Sequence, residues 1–386
     1  MYTLFTIKQY ILFTHIYIIN ETFFNYKRII IIIKKNDLNN INYYYKLSMS
    51  SKYFSNIIEK KQILRFTLSN NNIPIAMANA IRRVAMAEIP IIAADRNNIN
   101  IITNTSILHS DFLKDRIKLI PIKNSTTVKN NYENYLIKLN VINESLDMKD
   151  VFVDEFEIFL NESKINNKEL FSSTNILFAK LKPNNQIIFE FKLTKNISKK
   201  GGPQFNPTAC SVYTFAKDED KIKKEFKKCL TDDEKREFNT LKADRFYKKN
   251  KNDEPQAYNF MIESVGYLDS KEIIKESFNV LEKKLNFLKS ELNANESSKI
   301  KEKISDNLMD AKDFIIIDED DTLGNLIAYY LYKNKKQVEY AGYLIPHPLD
   351  NKLIIRLKTK GDEKKEFNKE IDNIVGIIND LKKEWK

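Results

Sequence analysis

Apolar and polar residues follow regular patterns along most of the chain after residue 49, and the patterns predict two similar modules. In the first, residues 62–68 alternate between apolar and polar side chains, as in a half-buried strand. Residues 75–88 follow with apolar side chains at helical spacing, and Pro90 ends this predicted helix. A heptad-like apolar stripe closes the module and predicts a long helix. The stripe consists of Ile274, Phe278, Leu281, Leu285, Leu288 and Leu292.

Short alternating runs separated by Asn-rich turns cover residues 125–200 and predict a mainly β domain inserted into the first module. A Gly-Gly-Pro sequence then marks the return of the first module, with predicted strands at residues 212–215 and 259–265. The charged segment between these strands, residues 218–249, is predicted to be helical, and its sequence indicates no function. The clearest strands of the insertion are residues 135–141, 153–160 and 186–193.

A polar connector and a second module follow. The connector, residues 293–311, contains no Gly or Pro, and Ile300, Ile304 and Leu308 predict a short helix within it. In the second module we predict a strand, a helix, two strands and an amphipathic helix, at residues 314–317, 322–331, 337–343, 352–358 and 364–385. The apolar face of the last helix is Ile371, Ile374, Val375, Ile378, Leu381 and Trp385.

The two modules share one plan of strand, short helix, further strands and a striped C-terminal helix, and AMANAIRRV in the first echoes TLGNLIAYY in the second. The first stripe is compatible with a helix on its own core or with one that packs on a partner helix. We predict an α+β fold in which the modules pair in pseudo-twofold fashion within one chain. The predicted inter-module residues are Phe278, Leu281, Leu285, Leu288, Leu323, Gly324, Asn325, Ile374, Ile378 and Leu381.

The predicted division of the chain has five parts. They are an unstructured or non-native extension (1–48), the discontinuous first module (49–124 and 201–292), the inserted β domain (125–200), the connector (293–311) and the second module (312–386).

Residues 1–48 are rich in Ile, Tyr, Phe and Asn and show no helical or strand period. Met49 is therefore a candidate start of the functional protein. A partner-binding tail and a membrane role are the alternatives. The longest apolar stretch, residues 10–19, is interrupted by His15 and is too short to span a bilayer, which needs about 20 apolar residues.

Composition narrows the class of protein. In 386 residues, 42% hydrophobic content can fill real cores, which predicts a globular protein. The net charge of +11 arises from basic residues that mostly stand beside acids, so it is weak evidence for nucleic-acid binding. Cys210 and Cys229 form no CxxC pair. They argue against a disulfide framework or a four-ligand zinc site and fit a reducing compartment.

Residues 75–95 (IAMANAIRRVAMAEIPIIAAD) and 104–122 (NTSILHSDFLKDRIKLIPI) resemble the third-largest subunit of eukaryotic RNA polymerase II and, more distantly, the bacterial α subunit. GGPQFNPTACSVY and residues 259–285 are similar to later parts of that family. In the second module, residues 315–331 and 338–359 resemble the small α-like subunit that pairs with the third-largest one. The resemblance implies a fusion of the two subunits, as in large DNA viruses.

This resemblance implies a non-catalytic assembly subunit of a DNA-directed RNA polymerase, without a cofactor or active site of its own. Its partners would be the two largest subunits, which carry the chemistry, and small polymerase subunits; DNA would be contacted only through the complex, and no membrane is implied. The compartment would be the cytoplasm, in a viral factory or virion, or else the nucleus. The residues that match the family's large-subunit interface are Asn79, Arg82, Arg83 and Arg116.

The chain departs from the family at two places. Asp115 and Lys118 stand where relatives carry His and Gly, so a contact there is expected to differ. Related subunits often hold zinc in the inserted domain through clustered cysteines. Residues 125–194 contain no cysteine, and we therefore expect no zinc there.

Two local features of the sequence suggest other classes of protein. FIIIDEDDT, residues 314–322, resembles the first motif of Mg²⁺-dependent haloacid-dehalogenase-like phosphatases. Too few residues follow for that fold, and the acids are also expected at the N-terminus of the following helix. An independent basic DNA-binding protein would need a helix-turn-helix, zinc or aromatic stacking signature, and the sequence carries none of them.

Overall fold

The computed structural model describes residues 16–21, 28–33, 52–70, 72–294, 296–306 and 308–385. The chain divides into two compact units, Met1–Lys52 and Tyr53–Lys386. In the first unit, strands β1 (Ile16–Glu21) and β2 (Arg28–Ile33) form an antiparallel pair. The sequence predicted no element here, and this was wrong for these two strands, because Ile-rich runs favour extended backbone even without alternation. The rest of residues 1–48 lies outside the described residues.

The first module is built on a four-stranded sheet of order β12-β13-β4-β3, with a long helix packed on it. Its first helix begins after Pro74, which occupies the N-cap, and ends at Ala87, close to the predicted bounds. Met77, Ile81 and Val84 form its buried face. The elements are β3 (Phe54–Lys60), β4 (Ile63–Ser69), α1 (Ile75–Ala87), and later β12 (Thr208–Phe215), α6 (Glu219–Phe226), α7 (Asp232–Glu237), β13 (Ala257–Ser264) and α8 (Ser270–Asn293).

Between α1 and β12 the chain forms a five-stranded sheet of order β5-β11-β6-β8-β9 and a separate pair of β7 with β10. Its core includes edge-to-face contacts of Phe156 with Phe178 and Phe189. The elements are β5 (Ile91–Asn104), α2 (Ser110–Lys118), α3 (Thr126–Asn131), β6 (Tyr135–Ile142), β7 (Lys149–Phe152), β8 (Glu157–Leu160), β9 (Ser163–Ile165), α4 (Asn167–Leu170), β10 (Leu177–Leu181), β11 (Gln186–Asn196) and α5 (Ser198–Gly201).

The start of this β region was predicted too late. β5 pairs with β11, for example Ile101 with Phe189, so the sheet begins at Ile91 and not at residue 125. β5 lacks the alternation of a half-buried strand because residues 91–94 are all buried while the next residues face solvent. A fully buried run of this kind has no period by which it can be recognised.

The second module has a four-stranded antiparallel sheet of order β14-β15-β17-β16. β14 corrects the helix expected in the connector: Ile300 pairs with Ile316 and Ile304 with Lys312. Its charged, exposed residues are typical of an edge strand, where backbone hydrogen bonds and not side-chain burial determine the structure. The elements are β14 (Ile300–Ile304), β15 (Lys312–Ile317), α9 (Asp321–Lys333), β16 (Val338–Leu344), β17 (Lys352–Thr359) and α10 (Glu363–Glu384).

Candidate functional site: the module interface

The two apolar stripes lie against each other along α8 and α10. The seven predicted inter-module residues on these helices are all buried, and none is more than 4% exposed. The helices run antiparallel, since Lys289 Nζ lies 2.6 Å from Asp372 Oδ1 and the Trp385 indole donates to the Lys271 carbonyl at 3.0 Å. The first stripe therefore packs on a partner helix. These residues are Phe278, Leu281, Leu285, Leu288, Ile374, Ile378 and Leu381.

Both ends of the helix pair are fixed by specific contacts. At one end, the side-chain amides of Asn293 and Asn368 donate to each other's oxygen at 3.0 Å, and we call this the reciprocal amide pair. At the other end, the Trp385 ring lies with its centroid 4.9 Å from those of Phe54 and Phe66, in edge-to-face arrangements. Trp385, the last residue of the second stripe, thus packs into the core of the first module.

The short helices α1 and α9 also pack against each other, with polar contacts at each end. Arg83 on α1 donates through Nε to Thr322 Oγ1 at 2.8 Å and through Nη2 to Asp320 Oδ2 at 3.2 Å. Tyr330 on α9 donates its hydroxyl to the Asn72 carbonyl at 3.1 Å. Each short helix therefore uses its C-terminal half to contact the segment at the start of the other.

Asp320 joins three elements at this junction. Its Oδ1 accepts from the Thr322 backbone N–H at 2.8 Å and caps α9, while Lys199 from α5 lies 2.9 Å from its Oδ2. Burial alone would raise the pKa of Asp320, but the hydrogen bonds from Lys199 and Thr322 outweigh burial and hold the pKa well below its ordinary value. The ionised form of the Asp320 carboxylate therefore stabilises the folded chain.

A largely buried ion cluster lies between the modules, and sequence reasoning missed it. Lys284, in the middle of α8, has its ammonium 2.5 Å from Glu88 Oε2 at the end of α1 and 2.7 Å from Glu319 Oε2 before α9. The Glu88 side chain is 5% exposed, and the Lys284 and Glu319 side chains are 20% and 18% exposed. The three charges come from three distant segments, and no spacing in the sequence connects them.

The three remaining predicted inter-module residues, Leu323, Gly324 and Asn325, lie on α9. Leu323 is buried and Asn325 is half-buried. A Cβ at Gly324 would lie 2.6 Å from Leu353 Cδ1 and 2.7 Å from Tyr343 Cδ2. Gly324 was predicted at the inter-module interface, but the atoms nearest to its missing side chain belong to strands of its own module, because the helix rests directly on β16 and β17.

The residues predicted to contact the large subunits lie on two helices, three of them on α1 and Arg116 on α2. Arg82 donates through Nε to Asn79 Oδ1 at 3.0 Å on the same helix. Arg116 on α2 donates to the carbonyls of Phe178 at 2.7 Å and Leu177 at 2.6 Å, and so ties α2 to β10. Arg83 has the intrachain contacts described above. Contacts of these residues with the large subunits stay a prediction.

The acids of the phosphatase-like segment have structural partners. Asp318 forms an ion pair with Lys299, and Asp320 caps α9. His347 Nδ1 accepts from the Leu349 backbone N–H at 3.1 Å. Within the described ranges, no group of three or more His, Cys, Asp or Glu side chains is arranged to hold a metal ion. No helix among those residues has the length and apolar character to cross a membrane.

Comparison with known proteins matches both modules. A family model described as the RNA polymerase Rpb3/Rpb11 dimerisation domain matches residues 67–285, and a second model with the same description matches residues 311–384.

Individual relatives match over shorter stretches. The chain is 47% identical over 62 residues to DNA-directed RNA polymerases I and III subunit rpc19 of Dictyostelium discoideum, which is 16% of this chain and 53% of that protein. It is 51% identical over 49 residues to subunit RPAC2 of the same polymerases in Saccharomyces cerevisiae, 13% of this chain and 34% of that protein. It is 42% identical over 65 residues to RNA polymerase II subunit RPB3 of Schizosaccharomyces pombe, 17% of this chain and 20% of that protein. The matches thus span about half or less of the length of these relatives.

Proposed function

The chain belongs to the RNA polymerase Rpb3/Rpb11 dimerisation-domain family, and from this premise we propose that it is a non-catalytic assembly subunit of a DNA-directed RNA polymerase. It would act as a platform on which the two largest subunits assemble. The two family matches in one chain support a fusion of a third-largest-type subunit with its small α-like partner. The five-stranded sheet would be the inserted domain of the first part.

The observation that carries this proposal is the packing of α8 on α10. Two apolar helix faces cover each other within one chain, and exposing these faces to water would be costly in free energy. A dimerisation domain that is covered in this way needs no second chain. The pairing that separate subunits achieve by association would then be achieved here within the fused polypeptide.

Approximate twofold symmetry of the pair is part of the proposal. Arg83 near the end of α1 reaches the start of α9, and Tyr330 near the end of α9 reaches the segment before α1. The two long helices are antiparallel, as they would be around a twofold axis perpendicular to both. These reciprocal contacts support modules that are related by a pseudo-twofold axis.

Large-subunit docking would use α1. Arg82 and Asn79 lie together on this helix, and a guanidinium suits a protein interface because it can bind carboxylates or carbonyls through two N–H groups. Arg116, by contrast, would act indirectly by holding α2. The further partners would be small polymerase subunits. This role would fit a viral protein that acts in a cytoplasmic factory or in the virion. It would equally fit a protein that acts in the nucleus.

Affinity purification tests the function. The tagged full-length chain should co-purify the two largest polymerase subunits from native extract in a fixed ratio. Phe287→Asp is a matched control, since Phe287 is exposed on α8 and its replacement should not alter recovery. Recovery of the folded, tagged chain without large polymerase subunits would contradict the proposal.

A further inference from the structure

We propose that Lys284 selects the partner of the first module, so that unlike modules pair and like modules do not. The selected partner is a module that presents a buried carboxylate at the position of Glu319. This inference rests on the proposed function, because it assumes that modules pair through their C-terminal helices. It goes beyond that function by naming the residue that decides which module is accepted.

The two stripes have the same spacing, which allows the helices to be aligned residue by residue. Ile274 of α8 corresponds to Phe367 of α10, and Leu292 corresponds to Trp385. Every stripe position between them matches in the same register. Each residue of α10 therefore has a defined counterpart in α8, and the geometry of a hypothetical pair of like modules can be deduced.

The observed contacts place Lys284 at the centre of the helix pair. Lys289 contacts Asp372, whose counterpart in α8 is Asn279, and Lys284 lies halfway between Lys289 and Asn279. The reciprocal amide pair gives the same midpoint. If two first modules paired in this geometry, Lys284 would therefore face Lys284 of the second copy.

A pair of first modules would also lose a carboxylate. When AMANAIRRV is aligned with TLGNLIAYY, the residue that corresponds to Glu319 is Ile73, which is apolar and 1% exposed. Lys284 would keep Glu88 but would exchange Glu319 for an ammonium. Two ammonium groups that meet in a largely buried site repel each other strongly, whereas in the unlike pair Glu319 attracts the same ammonium.

A pair of second modules has the opposite defect. The counterpart of Lys284 in α10 is Ile377, which packs against the core. Glu319 would then be buried without its cation. In the observed arrangement, burial raises the pKa of Glu319 and Lys284 opposes the rise. Only the unlike pair gives Glu319 its cation without bringing two ammonium groups together.

The charge of Lys284 itself is maintained in the unlike pair. Burial alone would lower its pKa, but Glu319 and Glu88 outweigh burial and raise the pKa, so the side chain remains an ammonium. Buried ion pairs often add little net stability compared with apolar residues of similar size, whereas an unpaired buried charge is costly. Lys284 therefore contributes more to the choice of partner than to the strength of pairing.

A cleavable full-length chain tests the proposal. A protease site is placed between Ala294 and Glu296, the folded protein is cut, and the pieces are allowed to exchange partners in dilute urea before native mass spectrometry. Wild type should give almost only unlike pairs. In Lys284→Met/Glu319→Leu/Glu88→Leu, which removes all three charges of the cluster, unlike pairs should persist, but the fraction of like pairs should rise at least tenfold.

Matched variants separate selection from general structure. Lys289→Met/Asp372→Leu removes an ion pair whose side chains are 36% and 58% exposed, and it should leave the wild-type distribution. Lys284→Arg keeps the charge and should do the same. If the triple variant does not fold, Glu319→Gln, which leaves Lys284 paired with Glu88, should lower the ratio of unlike to like pairs at least tenfold.

Two results would overturn the inference. An unchanged fraction of like pairs in Lys284→Met/Glu319→Leu/Glu88→Leu, with wild-type pieces still paired, would refute selection by Lys284 and leave the proposed function intact. Wild-type pieces that separate completely after cleavage would refute both the proposed pairing and the selection.

Discussion

The apolar and the polar parts of the module interface are built on different principles. Along α8 and α10, aliphatic side chains such as Leu285 and Ile378 exclude water without directional contacts. Between α1 and α9, Arg83 and Asp320 make a hydrogen bond of defined geometry. Lys284 on α8 joins the two parts through its ion pairs with Glu88 and Glu319. The apolar part provides a large, non-directional free energy of pairing. The polar part fixes the orientation.

The difference teaches that affinity and orientation can be changed separately in this molecule. An apolar stripe accepts other apolar stripes of similar spacing and therefore discriminates poorly. Hydrogen bonds to a capping carboxylate are made only in one arrangement. Variants in the apolar part should therefore reduce stability strongly, and variants in the polar part should act more weakly and more specifically.

The largest effect is expected in the apolar part. Leu285→Asp combined with Ile378→Asp would bury two charges, or expose both stripes, and should lower the free energy of unfolding by about 4 kcal/mol or more. Denaturant unfolding and light scattering measure the loss of stability and the resulting aggregation. Phe287→Asp on the exposed face of α8 is the control and should change stability little. A double variant with wild-type stability would show that the stripes do not hold the modules together.

The two neighbouring arginines of α1 should behave differently. Arg83→Ala removes hydrogen bonds to Thr322 and Asp320 and should lower the free energy of unfolding by about 2 kcal/mol. Arg82→Ala should leave stability almost unchanged but weaken docking to the large subunits roughly thirtyfold. Denaturant unfolding and quantitative co-purification distinguish the two. Equal losses of docking with unchanged stability in both variants would contradict this division of roles.

A smaller effect is expected from acid. Because the pKa of Asp320 is lower in the folded chain than in the unfolded one, its contribution is complete above about pH 4 and is lost as pH falls through the folded value. Asp320→Asn should therefore reduce the acid sensitivity of unfolding by on the order of 1 kcal/mol. The check is a set of unfolding curves between pH 2 and 7, with Asp372→Asn, an exposed carboxylate, as the control. Identical slopes in wild type and Asp320→Asn would refute the assignment.

The smallest effect is expected outside both parts of the interface. Deletion of residues 1–48 should leave stability and recovery of the large subunits unchanged, since both family matches begin after this segment. Co-purification with the shortened chain tests this expectation. Loss of the large subunits from the shortened, folded chain would show that the segment has a role in assembly.

The same contrast determines what could be predicted from the sequence. Each stripe recurs along a single helix, so both long helices were predicted, and the predicted bounds of α10, residues 364–385, lie within one residue of Glu363–Glu384. β5 and β14 were missed, because a fully buried strand and a charged edge strand both lack alternation. Local patterns thus identify elements that are half-buried and miss elements that are fully buried or almost fully exposed.

The polar part could not be predicted because its partners are far apart in sequence. Arg83 is expected from the resemblance to be a docking residue, yet its contacts in the structure are to Thr322 and Asp320. Lys284 follows no pattern at all. Only tertiary structure brings such residues together, and neither periodicity nor a local motif contains that information.

The order of α8 and α10 along the chain has a consequence for synthesis. The second stripe is completed about 90 residues after the first, so at roughly 5–20 residues per second the ribosome needs on the order of 5–20 s to deliver the partner helix. Helix formation and hydrophobic collapse are complete in far less than a second. The nascent first module therefore waits for seconds with Leu281, Leu285 and Leu288 uncovered, and this is the interval in which a chaperone would protect it from aggregation.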